Sequence, residues 1–306
     1  MTITLRNDLL KALDGEIDGE RLRNRSHAIE YFLSRSLGLK TVKVLILAGG
    51  RPVYPHTFDV KQWPTFGNGS SYSISNNAEN KKGVGVNFES EKKALPKAMV
   101  TIAGKPLLEH IIYRLKSAKL TEIYISLGEG GEIIKNYFGD GGKMGVNITY
   151  IQQKSGKLGN AQPLVQSKEF FSDSFLLLYG DVLSDIDYGD FMEFHRSQKA
   201  AVCTMALTST ESVNMWGLAR LQGNRIVEFE EKPKNPKTFS RLINAGVYLM
   251  ETEIFSFIGA KASKLESDVF PRLAEEGKLF GYPYEGLWLD ISNSAAYRQA
   301  LKELKI

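Results

Sequence analysis

Several short stretches set ionisable side chains where a folded chain could use them. FLLLYGD (175–181) ends an apolar run on Gly180 and Asp181. A carboxylate leaving a buried strand stands where a metal ligand or catalytic group is needed, although a turn aspartate after glycine is nearly as common. LWLD (287–290) sends Asp290 out of a second apolar run in the same way. EFEEKP (228–233) sets Glu231 beside Lys232, an acid and a base in one turn, or plain surface charge. LPKAMVTIAGKPLLEH (95–110) places Lys97 in a proline-bounded loop and Lys105 before a helix, where most lysines are simply solvated. KVLILAGG (43–50) runs from a strand into Leu47, Ala48, Gly49 and Gly50. Such a turn brings backbone amides to an anion, or only packs closely.

Positioning these groups requires strands that end together. Residues 42–47, 123–127, 148–151, 175–179 and 201–207 read as strands from their apolar runs. Leu107, Leu108, Ile111, Ile112 and Leu115 share one helical face behind Pro106. Near-continuous apolar strands alternating with helices predict an α/β, Rossmann-like, mostly parallel sheet with helices on both faces. Ligands of such sheets sit beyond the carboxyl ends of the strands, so the loops after Leu47, Tyr179 and Leu289 are the places to search.

Bulk properties narrow the class. The 306 residues carry 42% hydrophobic and 24% charged side chains, as in an ordinary globular protein. A net charge of +4 suits an anionic ligand without by itself indicating nucleic acid. One cysteine, Cys203, excludes an internal disulfide framework and favours a reducing compartment. No leader opens the chain and no run approaches the roughly 20 apolar residues of a membrane span. The simplest expectation is a cytoplasmic protein without membrane contact.

The boundaries expected are a small module at 1–40 and a larger domain at 41–306, with an insertion at about 58–94. That insertion is crowded with Gly, Asn, Ser and Lys, and is either functional or a mobile surface loop. Trp63, Phe66, Tyr72 and Phe88 within it favour partial ordering.

The first forty residues have a texture of their own. MTITLR alternates, with Thr2, Thr4 and Arg6 on one side and Ile3 and Leu5 on the other. Asn7 or Asp8 can cap a helix carrying Leu9, Leu10, Leu13 and Ile17. Ser26 can cap a second helix with Ala28, Ile29, Phe32, Leu33 and Leu37 inward, closed by Gly38. One strand and two short helices cannot bury these faces alone, so dimerisation is the natural remedy. The stretch resembles the ribbon-helix-helix (β-α-α) family, chiefly in ITLRNDLLKALD and RNRSHAIEYFL. That resemblance implies an intertwined homodimer whose ribbon enters the DNA major groove. Thr2, Thr4 and Arg6 would then face base edges, and the amides near Ser26 would hold a backbone phosphate. Seven Lys/Arg against six Asp/Glu leave the module barely positive, so a dimerisation arm without DNA remains open.

The larger piece resembles the nucleotide-sugar pyrophosphorylases, the sugar-1-phosphate nucleotidylyltransferases, from about Val42 to Tyr297. The carrying motifs are PKAMVTIAGKPLLEHII, LGNAQPL (158–164), LLLYGDVLSDID, EEKP, INAGVYLM (243–250) and DVFPRLAEEGKLFGYPYEGLWLDISNSAAYRQA (268–300). The resemblance implies the nucleotide-diphospho-sugar transferase fold. It also implies a reaction in which a sugar-1-phosphate oxygen displaces pyrophosphate from a nucleoside triphosphate. It makes Asp181 and Asp290 the ligands of Mg²⁺, and Lys97 the holder of the reacting phosphates. Lys232 would hold the sugar phosphate, Glu231 and Asn244 the sugar hydroxyls, and Gly246 would leave room for the ring. Gln153 and Gly159 lie where the family reads the base, and LGNA departs mildly from its usual LGTA.

The first loop departs more. The family reads LAGG-x-G-T-R-L-x-P-L-T, whereas LAGG here runs straight into RPVYPHT. Pro52 stands where the family's arginine belongs, with Arg51 one place early. Proline has no amide to offer a phosphate, so the grip must be altered, with the long side chain of Arg51 as its replacement. Two readings of different class follow. One is an active nucleotidylyltransferase, dimerised or DNA-tethered by its first module. The other is a DNA-binding regulator whose degenerate transferase domain senses a nucleotide or nucleotide sugar. The short enzymes of guanylyl and thymidylyl type fit the motifs better than the longer uridylyl enzymes with a trailing β-helix.

Overall fold

The computed structural model describes residues 6–17, 25, 28–29, 32–33, 42–50, 52–53, 95–154, 159–234, 240–291 and 297. Thr2, Thr4, Ser26, Arg51 and the 58–94 insertion lie outside the described residues. The chain divides into two compact units, Met1–Val42 and Lys43–Ile306.

In the first unit, helix α1 spans Asn7–Glu16 and buries Leu13 against Ala28, with Ile17 and Ile29 packed alongside. Asn7 and Asp8 do not cap it. Extended Arg6 holds the N-cap position without a side-chain bond, and Asp8 falls inside the first turn. There its charge suits the helix dipole and pairs with Arg6 at 3.2 Å. Arg25 donates from Nε and Nη2 to the two carboxylate oxygens of Asp14, 2.6 Å each. This fork holds the Asp14 carboxyl below its ordinary range. Leu9, Phe32 and Leu33 remain exposed. The strand expected over residues 1–6 falls outside the described residues save Arg6. Nothing among those described supports the ribbon-helix-helix reading.

Among the described residues the second unit has thirteen strands. In chain order they are β1 Lys43–Leu47, β2 Thr101–Ile102, β3 Lys105–Pro106, β4 Glu122–Leu127, β5 Asn147–Gln152, β6 Phe175–Tyr179 and β7 Val182–Ser184. Then come β8 Cys203–Ser209, β9 Gly217–Gln222, β10 Arg225–Glu231, β11 Leu242–Met250, β12 Leu279–Pro283 and β13 Trp288–Asp290. Nine of them form one sheet in the order β5-β4-β1-β6-β11-β8-β12-β10-β9.

That sheet is mixed, which corrects the expectation of a mostly parallel one. β5, β4, β1 and β6 run parallel, but β11 is antiparallel to both β6 and β8. β10 is antiparallel to β12 and to β9. Two causes are visible. Gly223, at φ +58°, and Asn224 make a two-residue hairpin between β9 and β10, which can join only antiparallel neighbours. β11 is buried along almost its whole length, so its apolar run carries no sign of strand direction.

The helical reading of residues 107–115 agrees with the structure. Helix α2, Leu107–Ser117, buries Leu107, Leu108, Ile111, Ile112 and Leu115 in turn. Four further helices matter for position: α3 Gly131–Phe138, α4 Ala161–Gln166, α5 Tyr188–Ser197 and α6 Ile254–Phe257. Helix α7, Leu265–Asp268, and helix α8, Phe270–Glu275, follow. Phe175, Leu177, Met205, Tyr248, Phe270 and Leu273 join strands and helices in one apolar core. Val53 and Leu95, which flank the insertion, exchange both backbone hydrogen bonds at 2.8 Å.

Candidate active site

The parallel quartet aligns its ends. Leu47 stands level with Tyr179 on β6 and with Ser126 on β4, so the loops after β1 and β6 leave the sheet side by side. Ala48 donates its amide to the Ser126 carbonyl at 2.9 Å, and Gly180 donates to the Leu47 carbonyl at 3.0 Å. These bonds pin the glycine turn against the start of the aspartate loop. A cavity of about 590 Å³ opens there, with Leu47, Ala48, Gly49 and Gly50 on one wall.

Gly49 leaves room for a specific neighbour. A Cβ at that position would stand 2.0 Å from Gln153 Nε2. Gln153 is fixed from behind, its amide nitrogen Nε2 donating to Ser126 Oγ at 3.1 Å and its backbone nitrogen to the Leu127 carbonyl at 2.8 Å. Gly159 is required more strictly. At φ +139° its Cβ would lie 1.9 Å from the Ser263 carbonyl oxygen. Both residues line the cavity.

Lys97 enters from a short 3₁₀ turn, Lys97–Met99, which follows Pro96. Its Nζ donates to Asp181 Oδ2 at 3.1 Å, with both side chains about three-quarters shielded from solvent. β13 and β7 form a two-stranded ribbon in which Asp290 lies opposite Val182. Ile291 donates its amide to the Asp181 carbonyl at 2.8 Å. Asp181 and Asp290 therefore occupy neighbouring rungs of one ladder. Among the described residues no group of three or more His, Cys, Asp and Glu is arranged to hold a metal ion.

Glu231 ends β10, so EFEE is strand rather than turn, and Lys232 follows at φ +51°. The Lys232 amide donates to the Trp216 carbonyl at 3.0 Å, and its Nζ stands 3.9 Å from Glu231 Oε1. Burial raises the Glu231 carboxyl above its ordinary range, and the charge of Glu266 adds to this against Lys232 and Lys264. Glu231 and Lys232 line the same cavity.

Asn244 and Gly246 stand apart from that lining. Asn244 is buried in a bulge of β11, donating from Nδ2 to Tyr248 Oη at 2.7 Å and accepting from the Gly246 amide at 2.9 Å. A Cβ on Gly246 would lie 3.1 Å from the Tyr179 ring. The pair thus shapes the backing of Tyr179.

Tyr179, Asn160, Lys264 and Glu266 are among the lining residues that the sequence reading did not assign to the site. Tyr179 Oη donates to Glu266 Oε1 at 2.5 Å. Asn160 Nδ2 donates to both Glu266 oxygens, at 3.0 and 2.9 Å, and lies 2.7 Å from Tyr179 Oη. Glu266 lies on α7, two residues before the DVFPRL motif, and its only local signal is one acid beside buried Leu265. Arg6 is exposed and belongs to the first unit. Among the described residues no helix is long and apolar enough to cross a membrane.

The chain is similar to several known proteins. A Sulfolobus acidocaldarius protein named mannose-1-phosphate guanyltransferase is 32% identical over 212 residues, covering 68% of this chain and 57% of the relative. A Synechocystis protein named UTP–glucose-1-phosphate uridylyltransferase is 29% identical, over 72% of this chain and 61% of its own length. The chain thus spans about three-fifths of these relatives. A Bacillus anthracis crystal structure, described as a glucose-1-phosphate thymidylyltransferase with sucrose, superposes with a TM-score of 0.67 at 25% identity. It covers 86% of this chain and 94% of its own. The shared architecture is a mixed α/β one, and the nucleotidyl transferase pattern matches residues 92–305, so the chain belongs to the nucleotidyl transferase family.

Proposed function

We propose that the protein makes a nucleoside-diphosphate sugar and pyrophosphate from a nucleoside triphosphate and a sugar-1-phosphate. The observation that carries this reading is the convergence of the glycine turn, the Lys97–Asp181 pair and Glu231–Lys232 on one cleft. A phosphate oxygen of the sugar-1-phosphate attacks the α-phosphorus. The bond to the β-bridging oxygen breaks, and pyrophosphate leaves with the electron pair. Such a transfer asks for aligned phosphates and neutralised charge rather than a covalent intermediate.

In this reading Lys97 holds the triphosphate, and Lys232 holds the sugar phosphate. Glu231 accepts from sugar hydroxyls, and Gln153 and Gly159 face the base. The backbone of Leu47, Ala48, Gly49 and Gly50 approaches the phosphates. Mg²⁺ keeps waters and takes its other oxygens from substrate, so one or two carboxylates suffice to hold it. Asp181 and Asp290 would hold it, and it would neutralise charge on the reacting phosphates. We read Arg51 as a further phosphate contact and Asn244 and Gly246 as the sugar-side backing. The exposed Leu9, Phe32 and Leu33 support self-association through residues 1–40. The regulator reading rests on Thr2, Thr4 and Ser26, outside the described residues, and on Arg6, already paired with Asp8.

Pyrophosphate release tests the reading. GTP, UTP and dTTP are each paired with mannose-1-phosphate and glucose-1-phosphate in the presence of Mg²⁺. Turnover is expected in at least one pair, and none in any pair overturns it.

A further inference from the structure

Glu266 is a carboxylate with 8% of its surface exposed, yet no ion pair reaches it among the described residues. Its partners are two neutral donors, the Tyr179 hydroxyl and the Asn160 amide. Burying an unpaired carboxylate is costly, and a structural acid at this position would ordinarily be given a cation. Glu266 instead lines the substrate cleft. A carboxylate has about four lone-pair sites, and Tyr179 and Asn160 fill no more than three of them. Among the described residues, at least one acceptor site therefore remains for a ligand.

The two donors also aim it. Asn160 accepts the Leu265 amide at 2.8 Å through Oδ1, while its Nδ2 reaches both Glu266 oxygens. Ala161 donates to the Ser263 carbonyl at 3.2 Å, and Gln162 to the Ala262 carbonyl at 2.9 Å. Residues 160–162 are thus laced to 262–266, and the carboxylate is held rigid at one end of the cleft. Glu231 is its charged neighbour there, and the two carboxylates act on each other electrostatically. Burial is the largest influence on Glu231, and Lys232 and Lys264 oppose the charge of Glu266 there.

Resting on the function proposed above, we infer that Glu266 is a second sugar-reading carboxylate beside Glu231. The pair admits neutral or amino sugar-1-phosphates and rejects those that carry a carboxylate of their own. Two fixed acceptors suit hydroxyl or ammonium donors. A uronic acid brings a third negative charge into the same half-buried space, which electrostatics opposes. Tyr179 and Asn160 are positioning residues that act through Glu266.

Calorimetric titration of the full chain with glucose-1-phosphate, glucosamine-1-phosphate and glucuronic acid-1-phosphate tests this without turnover. The wild type is expected to bind the first two and to discriminate against the third by about tenfold or more. Glu266→Gln keeps the shape and removes the charge. It should weaken glucose-1-phosphate binding by about tenfold, and narrow the discrimination against glucuronic acid-1-phosphate by a similar factor. Affinity for GTP, UTP and dTTP should stay within about twofold, because nothing proposed for the base end changes. Equal losses for nucleotide and sugar phosphate, or an unchanged discrimination ratio, would overturn the inference. Tyr179→Phe removes one donor and keeps the ring, and should give a smaller loss of the same kind. If no substrate pair turns over while these binding differences hold, the enzymatic reading falls and Glu266 keeps its role in recognition.

Discussion

Lys97 and Asp181, 84 residues apart in sequence, meet as an ammonium–carboxylate pair at 3.1 Å in the mouth of the cleft. Each neutralises the other's charge in the cavity that the glycine turn also lines. The lysine stands on a short turn after Pro96 and the aspartate on the loop after β6, so the pair joins the two loops across the cleft.

Lys97→Met should therefore reduce kcat/KM by about 100-fold while leaving the fold intact, as loss of a charged transition-state contact does. Steady-state pyrophosphate release measures the first effect and circular dichroism the second. Asp181→Asn should lower activity as strongly and shift the Mg²⁺ concentration for half-maximal rate upward. A rate that stays normal in both variants would remove the pair from the chemistry.

The two glycines of the first turn are expected to behave differently. Gly50→Ala meets nothing within 4 Å, so stability should change little. Gly49→Ala drives its methyl group into the Gln153 amide, which must give up its bond to Ser126 to move aside. The effect should appear as a raised KM for the nucleoside triphosphate, with Tm nearly unchanged. Gly159→Ala faces a rigid backbone carbonyl and a forbidden φ together, so it should cost about 1–3 kcal/mol of stability. Urea unfolding and nucleotide titrations of the three variants separate these outcomes.

Much of this site was legible because its parts announce themselves locally. An apolar run ending in Gly180-Asp181 fixes where a strand stops, and α2 shows its buried face at helical spacing. Strand direction was hidden in β11, whose two faces are both buried and so lack alternation. Glu266 was hidden for a different reason. Its partners Asn160 and Tyr179 lie 106 and 87 residues away, and a tetrapeptide on a four-residue helix gives no hint of such burial. Asn244 was visible as a polar break in an apolar strand, but its internal bonds to Tyr248 and Gly246 appear only in the folded chain.

Sugar-phosphate affinity should depend on pH through Glu231. Its carboxyl is raised from 4.5 by burial first and by Glu266 second, with Lys232 and Lys264 opposing. The carboxylate form accepts hydroxyls, so affinity should fall as pH drops through this raised value, sooner than an ordinary glutamate would allow. Removing the Glu266 charge lowers the Glu231 value, so the acid limb of the KM profile should move to lower pH in Glu266→Gln. The sign for stability is opposite: a raised acid binds its proton more readily in the folded state, so its contribution is present below 4.5 and lost as pH rises past the raised value. A limb that stays put in the variant would separate the two carboxylates.

A polar cluster around buried His195, away from the cleft, tests packing alone. His195, on α5, lies 2.7 Å from Thr204 Oγ1 through Nδ1 and 3.0 Å from Glu251 Oε1 through Nε2. Ser174 Oγ donates to the same Glu251 oxygen at 2.7 Å. Thr204 is wholly buried, so replacing the imidazole with an apolar group leaves its hydroxyl without that partner. His195→Leu should cost about 2–3 kcal/mol by urea unfolding, the sum of one orphaned hydroxyl and one lost bond to a carboxylate. His195→Gln can reach only one of the two partners and should recover part of the loss. Neither substitution touches the lining of the cleft, so turnover per folded molecule should match the wild type in both.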